Sequence, residues 1–223
     1  MFPTSNFLIN IHSHHKPKLT NEFVIRNAFM KLNNRKIECL KYPVSVGLHP
    51  WFIDTMNIND CMNALEEMLA SKNAFAVGEI GIDKASNISL NKQIEFFEAQ
   101  LHVAEKFNKP IIVHAVKSYY DFIPYLKKTT TTFIFHQFNG NQQIANQLLN
   151  YSCKLSFGKN LFNTKSDNIL RLIPSNSFFL ETDDASHIHI YDVYNKAAEI
   201  RKVTIEELQT EIFCTFKNIF VVK

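Results

Sequence analysis

Four histidines and two carboxylates stand where apolar runs stop. The stretches FLINIHSH, FAVGEIGID, PIIVHA, FIFHQFNG and FFLETDD carry His12 and His14, Glu79, His114, His136 and Asp183 at or near their ends. SVGLHP closes on His49 in the same manner. Residues two apart on a strand point the same way, so His12 and His14 project together, as two ligands of one metal must. Imidazole nitrogen and carboxylate oxygen suit zinc and related divalent ions such as manganese. No cysteine occupies these positions, so a structural thiolate-held zinc is not expected. One HxH or one GExG carries little alone, because strand-end histidines are commonly satisfied polar residues. The recurrence in order is what points to a metal site. His15, His102, His187 and His189 keep the ordinary reading, as a turn residue, a residue within an amphipathic helix, and two residues at a polar helix start.

Such a set needs strands whose C-terminal ends share one face. Apolar runs over Phe7–His12, Val44–Leu48, Ala74–Ile80, Pro110–His114, Phe133–Phe138, Lys154–Phe157 and Ser177–Glu181 read as strands, with Phe23–Phe29 a weaker eighth. Between them Asp60–Ser71, Asn91–Phe107, Ser118–Lys128, Asn141–Asn150 and Lys165–Leu172 read as helices. Ile94, Phe97, Leu101 and Ala104 make one apolar stripe on the best of these. Thr204 and Glu207 form a capping box ahead of a last helix that carries Ile205, Leu208, Ile212 and Phe216. Alternation of strand and helix implies parallel strands joined by crossover helices. Eight strands would close a (β/α)8 TIM barrel with an abbreviated first β/α unit, since no convincing helix lies between His15 and Val44. An open doubly wound sheet is the alternative. In a parallel barrel the strand C-termini open on the face that carries active sites, which would gather the six residues in one pocket.

The chain has 223 residues, and we read residues 1–223 as a single domain. Its 46% hydrophobic and 20% charged content is that of a soluble globular protein, and 20 Phe with seven Tyr supply core material. A net charge of +3 excludes the dense basic footprint of a dedicated DNA-binding domain. It does not exclude a nucleic-acid enzyme, because bound metal ions add charge that composition does not count. Cys39, Cys61, Cys153 and Cys214 form no CxxC and read as free thiols in a reducing compartment. No signal peptide or membrane-length apolar window is visible, so a cytoplasmic protein without a membrane partner is expected.

As a combined series, HxH, GLHPW, VGEIGID, PIIVHA, HxFxG and LETD resembles the TatD family of metal-dependent deoxyribonucleases, within the amidohydrolase-like barrels. The resemblance extends through QIEFFEAQLHVAEKFNKPIIVH and LSFGKN and covers nearly the whole chain. It implies two divalent metal ions (Mg, Mn or Zn). His12, His14, Glu79 and Asp183 would hold one, and Glu79 would share the second with His114 and His136. Asp183 is then the implied general base and Glu79 the bridging carboxylate. His49 is implied as a substrate contact, and Lys117 could meet a phosphate. Trp51 would either stack on a base or serve the core. The implied activity is hydrolysis of DNA phosphodiesters, of the 3′-5′ exonuclease type, with nucleic acid as the partner and a monomer favoured. Asn10 replaces the family's usual acidic residue before HxH, Val116 its usual Arg, and the segment after Asp183 is short. Asn10 can still hydrogen-bond and would alter the tuning behind the ligands, the other two departures fall on substrate binding, and the ligand set is intact. Two rival readings are a metal-dependent ester or amide hydrolase, for instance on aminoacyl-tRNA, and a non-catalytic metal-binding scaffold.

Overall fold

The computed structural model describes residues 2–29, 42–163 and 167–221. Cys39, and Lys165 at the start of one expected helix, lie outside the described residues. Strands are β1 (Leu8–Ser13), β2 (Glu22–Phe29), β3 (Val44–Gly47), β4 (Ala74–Asp83), β5 (Ile111–Val116), β6 (Phe133–Phe135), β7 (Lys154–Phe157) and β8 (Phe178–Leu180). Helices are α1 (Ile58–Leu69), α2 (Leu90–Lys106), α3 (Ile123–Leu126), α4 (Gln142–Leu149), α5 (Asp167–Leu172), α6 (Ile190–Arg201) and α7 (Ile205–Phe220). The strands pair in chain order, β1 to β8, in one sheet. A parallel bridge from Ser13 to Asp183 brings the last strand back to the first. This is the topology of a (β/α)8 barrel. The weak run at Phe23–Phe29 is a genuine strand, and no helix joins β1 to β2.

By contact the chain forms two compact units, Met1–Arg26 with Phe135–Lys223, and Asn27–Ile134. In the first, Phe157 meets Phe138 and Phe178 edge-on, and Phe216 stacks on Phe220 at 4.5 Å. In the second, Phe97 of α2 packs against Phe122, Tyr125 and Phe133. Edge-to-face contacts of this kind add to the area that the rings bury. Among the described residues, no helix is long and apolar enough to cross a membrane.

Most elements form where period and caps place them. Thr204 accepts the Glu207 N–H at 3.1 Å and Glu207 accepts the Thr204 N–H at 2.8 Å, which closes the capping box that opens α7. The helix expected over Ser118–Lys128 instead becomes a 3-10 turn, Tyr119–Phe122, followed by the single turn of α3. Pro124 lies in the first turn of α3, lacks an N–H, and cannot continue a helix that begins ahead of it. On α2 the buried stripe is more polar than its sequence suggests, because Gln93 and Gln100 are buried beside Phe97 and Leu101.

Candidate functional site

In the first unit, β1 and β8 deliver the HxH pair and Asp183 to one place. The Asp183 N–H donates to the His12 carbonyl at 3.1 Å, and the His14 N–H donates to the Asp183 carbonyl at 3.0 Å. Asp183 turns there through a left-handed backbone, φ 51°, at its own conformational cost. Its Oδ1 then lies 3.5 Å from His12 Nε2 and 3.4 Å from His14 Nε2. His12 is fully buried while the His14 side chain is 44% exposed. The His136 ring sits 4.8 Å from that of His12, and donor atoms of His12, His136 and Asp183 fall within 4.8 Å of one another. Burial pushes the Asp183 carboxyl up, but contacts with His12 and His14 and the charge of His12 and His136 hold it well below the ordinary range. An anionic oxygen among imidazole nitrogens is the donor chemistry a divalent ion requires, so these residues fit one.

Several neighbours hold this cluster in place. Glu181 is fully buried, accepts the Gln137 N–H at 2.9 Å and lies 3.5 Å from His136 Nδ1. At that distance Glu181 places negative charge beside the His136 ring, which favours its protonated form. Asn10, two residues before His12, serves the strands themselves. It clamps β1 to β8, donating to Thr182 Oγ1 at 2.9 Å and accepting the Thr182 N–H at 3.1 Å, and it also donates to Glu22 at 3.0 Å. Lys159 Nζ pairs with Asp184 at 2.9 Å and stands 3.9 Å from Asp183 Oδ2. Its hydrogen bond to Asp184 is the main reason that its ammonium is held above the ordinary lysine range.

The second unit builds a cluster from β4 and β5. Register places His114 opposite Gly81, diagonal to Glu79 and Asp83 on the same face of β4. His114 Nδ1 lies 2.7 Å from Glu79 Oε1, and Nε2 lies 3.2 Å from Asp83 Oδ2. Only glycine serves between them: at φ 154°, a Cβ on residue 81 would stand 2.0 Å from the His114 carbonyl oxygen. Asn27 donates to Glu79 Oε2 at 3.2 Å. His49 Nδ1 accepts the Trp51 N–H at 3.2 Å, which puts the ring proton on Nε2, and Nε2 faces Glu79 Oε1 at 3.4 Å. That tautomer makes His49 a donor toward an anion.

Asp83 ties this cluster to the exposed aromatic beside it. Its Oδ2 accepts the Trp51 indole N–H at 2.6 Å, and its Oδ1 accepts the Ala85 N–H at 2.8 Å. Burial pushes the Asp83 carboxyl up, yet these bonds and His114 hold it below the ordinary carboxylate range. Trp51 is 55% exposed, so it is not a core residue. The two buried glutamines of α2 grip the strand ends: Gln93 bonds the Asp83 N–H and carbonyl, and Gln100 bonds the Leu48 N–H and carbonyl just before His49. Lys117 leaves β5 through a left-handed backbone, φ 54°, with an exposed side chain.

Thus His12, His14, His136 and Asp183 come together in one unit, and Glu79, His114 and His49 in the other. Sequence reading overlooked Asp83, Glu181, Lys159, Gln93 and Gln100. A signal existed for the glutamines, since amides seven apart on an otherwise apolar stripe must find partners. None existed for Asp83 or Glu181 beyond their proximity to Glu79 and Asp183.

The TatD related DNase family matches residues 23–221. The chain belongs to that family. An uncharacterized metal-dependent hydrolase of Haemophilus influenzae is 30% identical over 150 residues, 62% of this chain and 57% of the relative. A 3′-5′ ssDNA/RNA exonuclease TatD of Pantoea ananatis is 28% identical over 148 residues, 62% of this chain and 56% of that protein. The chain therefore spans little more than half the length of these TatD relatives. The crystal structure of the Escherichia coli TatD homologue YjjV matches with a TM-score of 0.83 at 20% identity, over 98% of this chain and 99% of that one. A likeness at that identity carries the barrel fold.

Proposed function

We propose that this chain is a metal-dependent hydrolase that removes nucleotides from the 3′ end of single-stranded nucleic acid, with DNA the first substrate to test. Two divalent ions would be held by His12, His14, Glu79, His114, His136 and Asp183. The observation that carries this reading is that each unit presents a compact cluster of imidazole and carboxylate donors at the ends of parallel strands. The names borne by relatives support the substrate class. A pair of divalent ions supplies a nucleophile from water near neutral pH and charge for the oxygens of a phosphodiester.

The chain's own residues divide the remaining work. Asp183, kept ionised by His12 and His14, accepts the proton released when water attacks phosphorus. Glu79 would supply carboxylate oxygen to the donor set of its own unit, beside His49 and His114. His49, with its proton on Nε2, donates toward a non-bridging phosphate oxygen. Lys117 and Lys159 stand at strand ends as point charges for flanking phosphates, a looser grip than an arginine fork. Trp51, exposed and held by Asp83, offers a ring on which a base can stack. We infer one catalytic domain, active as a monomer in a reducing cytoplasm; the free Cys61, Cys153 and Cys214 accord with that compartment.

The test is digestion of 5′-labelled single-stranded DNA and RNA with Mg, Mn or Zn. Stepwise shortening from the 3′ end, stopped by EDTA and nearly abolished in Asp183→Asn with unchanged circular dichroism, is expected. No cleavage with any of these ions, together with turnover of carboxylic esters, would replace this reading by carbonyl hydrolysis.

A further inference from the structure

Within the first unit, a cavity of about 680 Å³ opens between the loops that follow β6 and β7 and the start of α5. Its polar lining is carboxamide: Asn139, Asn141, Gln142, Asn160, Asn163 and Asn168. None of the described side chains that line it is charged. Carboxamides are not the groups that a phosphate calls for, which are cations or clustered N–H groups, nor those of a metal ion, which are carboxylate or imidazole. A carboxamide presents one donor and one acceptor side by side, the pattern that matches the edge of a nucleobase, and of adenine above all.

Short stretches of chain connect the cavity lining to the donor cluster of the same unit. Asn139 follows His136 by three residues, and Asn160 follows Lys159, whose Nζ is 3.9 Å from Asp183. Two of the lining amides have local duties. Asn141 caps α4 by accepting the Ile144 N–H at 2.9 Å, and Gln142 donates to Asn146 at 2.8 Å. Among the described residues no side-chain hydrogen bond engages Asn160, Asn163 or Asn168. Phe162, 45% exposed in the turn between Asn160 and Asn163, adds an aromatic face at the same loop.

We propose that this amide-lined cavity is a nucleobase subsite that gives the enzyme a preference for adenine close to the cleaved bond. The proposal rests on the nuclease reading above, and the experiment separates the two. Cleavage rates are measured on single-stranded oligonucleotides that carry adenine, cytosine, guanine, thymine or an abasic site at each of the last three positions. Binding of the same set is measured by fluorescence anisotropy in EDTA, where no cleavage can occur. Wild-type protein is expected to favour adenine about tenfold over an abasic site at one position, the discrimination of a single bidentate amide contact. Asn163→Ala with Asn168→Ala should erase that preference. Asn163→Asp with Asn168→Asp, which keeps the shape and removes the donors, should erase it as well. Cleavage without base preference, or a preference unchanged in both variants, overturns the subsite and leaves the nuclease reading standing. If no substrate is cleaved, the nuclease reading fails and anisotropy decides the subsite: adenine-dependent binding lost in both variants sustains it, and base-independent binding overturns it.

Discussion

Replacement of Asp83 by alanine tests whether the carboxylate organises the second cluster. Asp83 is 2% exposed and spends its two oxygens on Trp51 Nε1, His114 Nε2 and the Ala85 N–H. A hydrogen bond to a charged group contributes about 1.5–3 kcal/mol net when its partner is left buried. Trp51 and Ala85 are exposed and regain water, so their bonds count at a discount. His114 is buried and loses one of its two carboxylate neighbours. The sum is about 3 kcal/mol for Asp83→Ala and about 1 kcal/mol for Asp83→Asn, which keeps an acceptor for the indole. At a urea slope of about 2–3 kcal/mol per molar, the alanine variant should unfold about 1 M earlier. Trp51 is the only tryptophan, so native fluorescence reports on this one contact and should shift to the red when the indole is released. Loss of the group that orients His114 should also weaken metal binding about 10–100-fold in competition with a chelator. An alanine variant with wild-type emission and a midpoint within about 0.3 M would refute the argument.

Other perturbations reach the scaffold. Gly81→Ala drives a Cβ to 2.0 Å from the His114 carbonyl at φ 154°, and should cost about 3 kcal/mol or more; soluble yield and urea unfolding measure it, and a loss below about 1 kcal/mol would contradict the packing. Burial pushes the Cys153 thiol up to about 12 and raises that of Cys61, whereas Cys214 is exposed. Brief iodoacetamide treatment of native protein near pH 8 should therefore label Cys214 and spare the other two, with peptide mass spectrometry as the readout. Thr204→Ala removes the cap of α7 and should cost about 1 kcal/mol, seen as a lowered thermal midpoint; no change would mean that the last helix is held by packing alone.

The run FIFHQFNG shows how far sequence reading reached and where it stopped. Three buried residues, Phe133–Phe135, make the strand, and His136 follows at its end as its position required. The next residue, Gln137, adopts φ 44° and gives its N–H to Glu181, a residue 44 positions away. No feature of the local run encodes that partner. Trp51 is similar: its type allowed either a core or a stacking role, and only the tertiary structure shows it exposed, outside the core and bonded to Asp83. The Ser118–Lys128 helix failed for a reason that was legible, since Pro124 was present in the sequence from the start.

Sequence alone determined the order of strands and helices, the capped last helix, the family, and the types of residue that end each strand. These follow from periods of two and 3.6 and from side chains acting on their own neighbours, which are local rules. Tertiary structure decided which of those residues meet. Parallel register set His114 between Glu79 and Asp83, the β1–β8 bridge set Asp183 against His12 and His14, and buried glutamines from α2 fixed the strand ends. Register is a relation between segments far apart in the chain, enforced by a core packed on both faces of the sheet, and a single strand does not carry it.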